Sequence, residues 1–395
     1  MWPFNFKKKI DPYLKPLAKT GARVKLPVLI CYKGDLKNIK TKVRYAGGVV
    51  THEFLITKTI CATLPVGSID KVSTLPEVKS LYYDHKANLC IHKASKALSI
   101  DVAKTFNVSG REVTIGIVDS GIYPHKGLTL KPDTIRYFKD IIGGGNKPYD
   151  DFGHGTYLGG IIASNFDYAR GIAPDARLSV AKAFDSTGKG YLSNILKGIE
   201  DIYASTPDVK ILLLPFEIKD MPDLRVNPLY DTILHLHTKN ITIICPTGNS
   251  GPTPFTISQP GVYKEVITVG GCKIVDNDFK ICEYSSRGPL KEDYTKPNLV
   301  SLSSGILSLK SDTFYMPKDK ILEKESIGTT SLSGTSVSAA IIAGMCALII
   351  ERYGELTPKD IGSILSLGTK SIGENKHIQG KGIVVLDKII KEKEK

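Results

Sequence analysis

From residue 113 onward the chain alternates short, nearly unbroken apolar runs with longer segments of helical period. Residues 113–118, 177–183, 209–214 and 242–247 are the apolar runs. Residues 153–163, 192–203 and 230–240 carry apolar positions at helical spacing. A strand buried on both faces loses the polar–apolar alternation of a half-exposed strand, so this grammar predicts a parallel sheet covered by helices on both faces, an α/β architecture. In such sheets the reactive groups collect at the C-terminal ends of the strands. Asp119 and Asn249 fall at those ends.

Upstream the pattern differs. Residues 24–32, 49–54, 57–64 and 78–84 read as strands. Residues 35–46 read as a helix opened by Asp35 and stopped by Gly47-Gly48, and residues 68–74 as a second helix capped by Ser68. The order β-α-β-β-α-β predicts a small α+β domain of ferredoxin-like type. The expected organisation is a basic arm over 1–22, this small domain over 23–84, a linker over 85–108 with a helical stretch at 93–105, a main domain over 109–390, and a charged tail over 391–395.

Charge sharpens that division. Residues 1–100 hold 18 Lys and Arg against 6 Asp and Glu, leaving 35 against 34 for the rest of the 395-residue chain. A basic front part permits nucleic-acid binding, but no zinc-finger spacing or RNA-binding motif accompanies it, so no nucleic-acid partner is expected. The seven cysteines are odd in number and none form Cys-x-x-Cys. That predicts reduced thiols and a cytoplasmic protein. No secretory leader and no apolar run of membrane-spanning length is read from the sequence, so no membrane partner is expected.

Four short segments carry candidate chemistry. Asp119-Ser120-Gly121 ends a strand, Gly153-His154-Gly155-Thr156 opens a helix, Gly248-Asn249-Ser250 follows a buried strand, and Gly334-Thr335-Ser336 opens the longest apolar helix. A serine becomes nucleophilic near neutral pH only with a base, and His154 suits that role. The base needs a carboxylate to fix its tautomer, and Asp119 suits it. A developing oxyanion needs donors, which the Asn249 amide and the Ser336 backbone N–H supply. Taken singly, each is also an ordinary turn or cap residue. In this order, and in these elements, they read as one site. His125, His235 and His237 make weaker candidates, since the last two lie two apart on a helix and face different ways.

The order Asp, His, Asn, Ser, with Gly171-Ile172-Ala173-Pro174, Gly188-Lys189-Gly190-Tyr191, Gln259-Pro260-Gly261 and Tyr284-Ser285-Ser286-Arg287-Gly288-Pro289, resembles the subtilisin family (S8) of serine proteases over about residues 110–385. Tyr123-Pro124-His125, Lys147-Pro148-Tyr149-Asp150-Asp151 and an insert at 306–330 most resemble the intracellular AprX-type bacterial subtilisins. The resemblance implies a subtilisin-like peptidase domain preceded by an inhibitory ferredoxin-like propeptide. It implies a zymogen whose catalytic residues are Asp119, His154 and Ser336, with Asn249 in the oxyanion hole. It assigns Gly188, Lys189, Gly190, Phe216 and Glu217 to substrate binding. The implied partners are protein or peptide substrates and the chain's own N-terminal domain. The alternatives are an inactive binding or signalling protein of the same fold, and an esterase or amidase using the same three groups.

The chain departs from the family at Pro215-Phe216-Glu217, at Val337-Ser338-Ala339-Ala340, at Ser301-Leu302-Ser303 and at Tyr157. Phe216 is expected to add an apolar wall beside the scissile bond. Glu217 is expected to narrow the pocket mouth and favour Lys, Arg or a long side chain with a polar tip over large apolar residues, or else to face solvent or pair with Lys219. No cofactor is required for the chemistry. A structural calcium is possible but not assured, because the loop at 164–170 is short; Asp150, Asp151 and Asp167 are its candidate ligands, with solvated loop acids as the alternative.

Overall fold

The computed structural model describes residues 9–18, 24–89, 106–219, 227–276, 278–290, 294–317 and 328–390. The expected helical stretch at 93–105, the first eight residues and the tail at 391–395 lie outside the described residues.

The N-terminal domain is a four-stranded antiparallel sheet in the order Val49–Phe54, Thr59–Pro65, Lys25–Tyr32, Val78–Tyr83. The helices Leu36–Tyr45 and Ile69–Ser73 complete the β-α-β-β-α-β order. Asp35 caps the first of them by accepting from the Asn38 N–H at 3.1 Å. Ser68 does not cap the second: its hydroxyl donates to the Ala46 carbonyl at 2.7 Å, and a 3-10 turn over Val66–Ser68 leads into the helix instead. Residues 9–18, expected in a basic arm, run along the edge of this sheet. Ile10 bridges to Leu81, and Leu14 is fully buried in the small domain's core.

The large domain is built on a ten-stranded, mostly parallel sheet. Its centre runs Ile267–Val275, Thr242–Pro246, Val209–Leu213, Thr114–Asp119, Arg177–Lys182, Ile135–Asp140, all parallel neighbours. Each of the residues in Thr114–Asp119 is buried. That is why its sequence shows no alternation. One face is covered by His154–Ala163 and Thr335–Tyr353, the other by Leu192–Ser205 and Pro228–Thr238. The helix Thr335–Tyr353 is, contrary to the sequence reading, long and apolar enough to cross a membrane by length and composition, yet 78% of that window is buried inside the protein. It is the core helix of the domain.

The two domains share a core. Leu29, Phe54 and Cys61 of the small sheet pack in the same apolar cluster as Leu192, Ile195, Leu196 and Ile199. The segment expected as a linker begins with a strand, Lys86–Leu89. It lies antiparallel between Lys189–Tyr191 and Phe216–Glu217 of the large domain.

Candidate active site

The strand Thr114–Asp119 ends in a carboxylate because its backbone runs out of the sheet there, at the edge where parallel strands deliver functional groups. The helix that follows Gly153 starts at His154 and comes against this strand end without a spacer. A Cβ on Gly155 would stand 2.0 Å from the Gly121 carbonyl oxygen. Glycine at 155 is therefore what lets the two segments approach. His154 Nδ1 then lies 2.7 Å and 3.0 Å from the two Asp119 carboxylate oxygens, and Nε2 lies 3.0 Å from Ser336 Oγ. With Nδ1–H donating to the carboxylate, Nε2 is left to accept from the serine hydroxyl. All three groups are buried, Asp119 completely.

Ser336 is the second residue of the helix Thr335–Tyr353, so its N–H belongs to the first turn, which has no intrahelical acceptor. Asn249 comes from the loop after Thr242–Pro246. Its Oδ1 accepts from the Thr335 N–H at 3.0 Å and the Thr335 hydroxyl at 3.1 Å, which fixes the amide's orientation. Its Nδ2 is buried with no hydrogen-bond partner among the described residues. A buried, unpaired N–H donor is costly to hold. It stands ready for an oxygen that arrives from outside.

Behind the triad lies a residue whose part the sequence reading missed. Asp150, weighed there as a solvated acid or calcium ligand, is fully buried. One of its oxygens accepts from Ser120 Oγ (2.8 Å), Phe152 N–H (3.2 Å) and Gly153 N–H (2.7 Å). The other accepts from the N–H (2.8 Å) and hydroxyl (2.6 Å) of Thr156. It thus joins the residue after Asp119 to the residues on both sides of His154. Asp151 pairs with the buried Lys182 at 2.5 Å, and Asp167 is exposed on a 3-10 turn. Asp150 is engaged by protein donors and Asp151 is paired, and the three acids are not gathered into one cluster. Among the described residues no group of three His, Cys, Asp or Glu is placed to hold a metal.

Tyr157 bonds through its hydroxyl to the carbonyls of Ile306 and Leu332 and to the Leu332 N–H, bracing the hairpin Ile306–Leu309/Thr329–Leu332 that leads into Gly334-Thr335-Ser336. His125 is buried, accepting from the Gly127 N–H at Nδ1 and facing the Gly328 carbonyl at Nε2, so it ties the same hairpin down.

The five expected substrate-binding residues separate into groups. Lys189 and Gly190 pair with Asn88 and Ala87 of the Lys86–Leu89 strand. Gly188 stands just outside this pairing, turned against the Phe152 ring. Phe216 pairs by backbone with Leu89, but its side chain is fully buried against Phe184, ring centroids 5.5 Å apart. It is part of the core and not a pocket wall, because adjacent strand residues face opposite ways and the core side falls to Phe216. Glu217 faces the other way and is 6% exposed, so it does not point to solvent. Its Oε1 pairs with Lys219 Nζ at 3.2 Å and its Oε2 accepts from Ser258 Oγ at 3.3 Å.

The profile of the subtilase family matches residues 110–382, the span that holds Asp119, His154, Asn249 and Ser336. The chain belongs to the subtilase family. As a subtilase it is a serine endopeptidase by descent. The chain is 31% identical over 335 residues to serine protease AprX of Bacillus subtilis, covering 79% of this chain and 74% of that one. It is 30% identical to subtilisin-like protease SBT6.1 of Arabidopsis thaliana over 70% of this chain but only 26% of that longer protein. The crystal structure of fervidolysin from Fervidobacterium pennivorans superposes with a TM-score of 0.72 at 17% identity, covering 94% of this subtilase and 61% of that chain. At that identity the match speaks for the fold, and it extends over both domains.

Proposed function

We propose that this subtilase hydrolyses peptide bonds through an acyl-enzyme on Ser336 and is held inactive by its own N-terminal domain until it cuts itself. Ser336 Oγ attacks the scissile carbonyl while His154 Nε2 takes its proton. Asp119 holds the Nδ1–H tautomer and balances the imidazolium that forms. The oxyanion is met by Asn249 Nδ2 and the Ser336 N–H. His154 then gives the proton to the leaving amine, and water repeats the sequence to free the acyl group.

The observation that carries the inhibitory part is the strand Lys86–Leu89, clasped on both edges by Lys189–Tyr191 and Phe216–Glu217. Backbone pairing on two sides is how an extended peptide is bound with little regard to its side chains. A segment lodged there excludes any other peptide. The same clasp favours peptides over small esters, which offer no strand to pair. The free, buried cysteines 31, 61, 245, 272, 282 and 346 support a reducing, cytoplasmic setting.

Intact mass of the purified chain tests both parts at once. Wild type is expected to lose an N-terminal fragment ending shortly after Leu89, and Ser336→Ala to stay at full length and hydrolyse nothing. A processed, active Ser336→Ala protein would end the proposal.

A further inference from the structure

Gly248 immediately precedes Asn249 and has a φ of +99°, a conformation that favours glycine. Its missing side chain faces a small polar group of atoms. A Cβ there would lie 2.6 Å from Glu217 Oε2, 2.8 Å from Ser258 Oγ and 3.1 Å from Ser286 Oγ. The Glu217 backbone belongs to one wall of the peptide clasp, opposite Asn88. Its carboxylate reaches Gly248 and Ser258. The side chain therefore runs from the clasp to the residue next to the oxyanion donor and takes up the room there.

A peptide held in the clasp with its scissile carbonyl at Asn249 Nδ2 brings the side chain of that same residue towards Gly248, the residue next to Asn249. That is the room Glu217 takes up. We infer that Glu217 plugs the side-chain pocket next to the scissile carbonyl, so that this subtilase cuts after small residues such as Gly, Ala, Ser and Cys. The inference rests on the proposed roles of Asn249 and of the clasp. It replaces the Lys or Arg preference expected from charge alone. The carboxylate is already paired with Lys219 and bonded to Ser258, so an incoming cation would meet a neutralised group and the Lys219 ammonium beside it. The residue that follows Leu89 in the sequence is a cysteine, Cys90, a small residue of the kind this pocket would take if the first cut falls there.

The test is a peptide-library cleavage profile of the processed enzyme as wild type, Glu217→Gly and Glu217→Gln, with labelling by a serine-reactive fluorophosphonate run alongside. Wild type is expected to cut after Ala, Ser or Cys at least about tenfold better than after Phe, Leu or Lys. Glu217→Gly should raise cleavage after Phe and Leu, relative to Ala, by about tenfold or more. Glu217→Gln, which keeps the volume and loses the charge, should retain the small-residue preference. A wild-type preference for Lys or Arg that Glu217→Gln abolishes would overturn the plug in favour of a cation pocket. Identical wild-type and Glu217→Gly profiles with normal labelling would overturn it alone. Absent labelling in wild type would overturn the peptidase reading beneath it.

Discussion

Asp84, at the end of the N-terminal domain, accepts a hydrogen bond from the Ser193 backbone N–H at 2.8 Å and another from the Ser193 hydroxyl. Ser193 is in the first turn of Leu192–Ser205, a helix whose own N-cap residue, Tyr191, offers no side-chain cap. One domain thus supplies the cap that the other domain's helix lacks. His85 adds its carbonyl to the Leu192 N–H at 2.8 Å. Burial pushes the Asp84 carboxyl pKa up, and the two Ser193 bonds oppose that. Removing a cap costs about 1 kcal/mol, or about fivefold in affinity. If the released N-terminal fragment inhibits as proposed, Asp84→Ala is expected to weaken that inhibition about fivefold, read as its inhibition constant. An unchanged constant would remove the cap from the account.

Asn249→Ala is expected to lower kcat far more than it raises KM, because Nδ2 meets charge present only in the transition state. The expected size, about 3 kcal/mol, is the one established for the oxyanion-hole asparagine of subtilisin itself. Steady-state kinetics on one peptide separates the two parameters. A rise in KM alone would contradict the assignment.

Asp150 predicts a different pattern. Asp150→Asn puts an NH2 group among five donors in a fully buried place, an expected loss of about 1–3 kcal/mol in stability. If its bonds also set how Asp119 and His154 meet, the acid limb of the kcat/KM–pH profile should move as well. A variant that melts earlier but keeps the wild-type profile would show Asp150 to be structural alone.

Lys296 is fully buried, donating to the Val266 carbonyl (2.6 Å), Thr268 Oγ1 (2.9 Å) and Asn298 Oδ1 (2.9 Å), all neutral oxygens. Desolvation lowers its pKa from 10.5 to about 7. Between those values the unfolded chain holds a proton that the folded chain has released, so this group makes stability rise with pH across that window. Buried thiols act the opposite way at higher pH; burial lifts Cys61 from 9.0 to about 12, for example. The clean interval is pH 7 to 9. Lys296→Met is expected to flatten the rise of Tm with pH there, measured by calorimetry. A slope equal to wild type would mean the ammonium keeps its charge in the fold.

The sheet and its helices were legible because burial on both faces writes itself as unbroken apolar runs, as at residues 113–118. The convergence of Asp119, His154 and Ser336 was legible because each sits at an element boundary with its neighbours: Asp119 ends a strand, and His154 and Ser336 stand at helix starts. What stayed hidden depended on direction or on distant partners. Phe216 and Glu217 are adjacent, and sequence alone does not say which faces the core. Asp150 reads as a loop acid until Ser120 and Thr156 are brought around it. Ser68 looks like a cap until the Ala46 carbonyl, from the other helix's end, takes its hydroxyl. Residues 86–89 read as linker because a strand held only by other segments leaves little trace in its own pattern.

Under the proposed self-processing, the clasped strand Lys86–Leu89 sets the kinetic order of the first cut. A peptide joined to its binding groove by a folded domain is present at an effective concentration set by the tether and not by the solution. Dilution should leave the rate of self-cleavage untouched. After the cut the tether is gone, and occupancy of the groove depends on how much fragment remains nearby. On that proposal a reaction that begins as unimolecular ends in an ordinary binding equilibrium, in which a high fragment concentration keeps the enzyme silent and dilution wakes it.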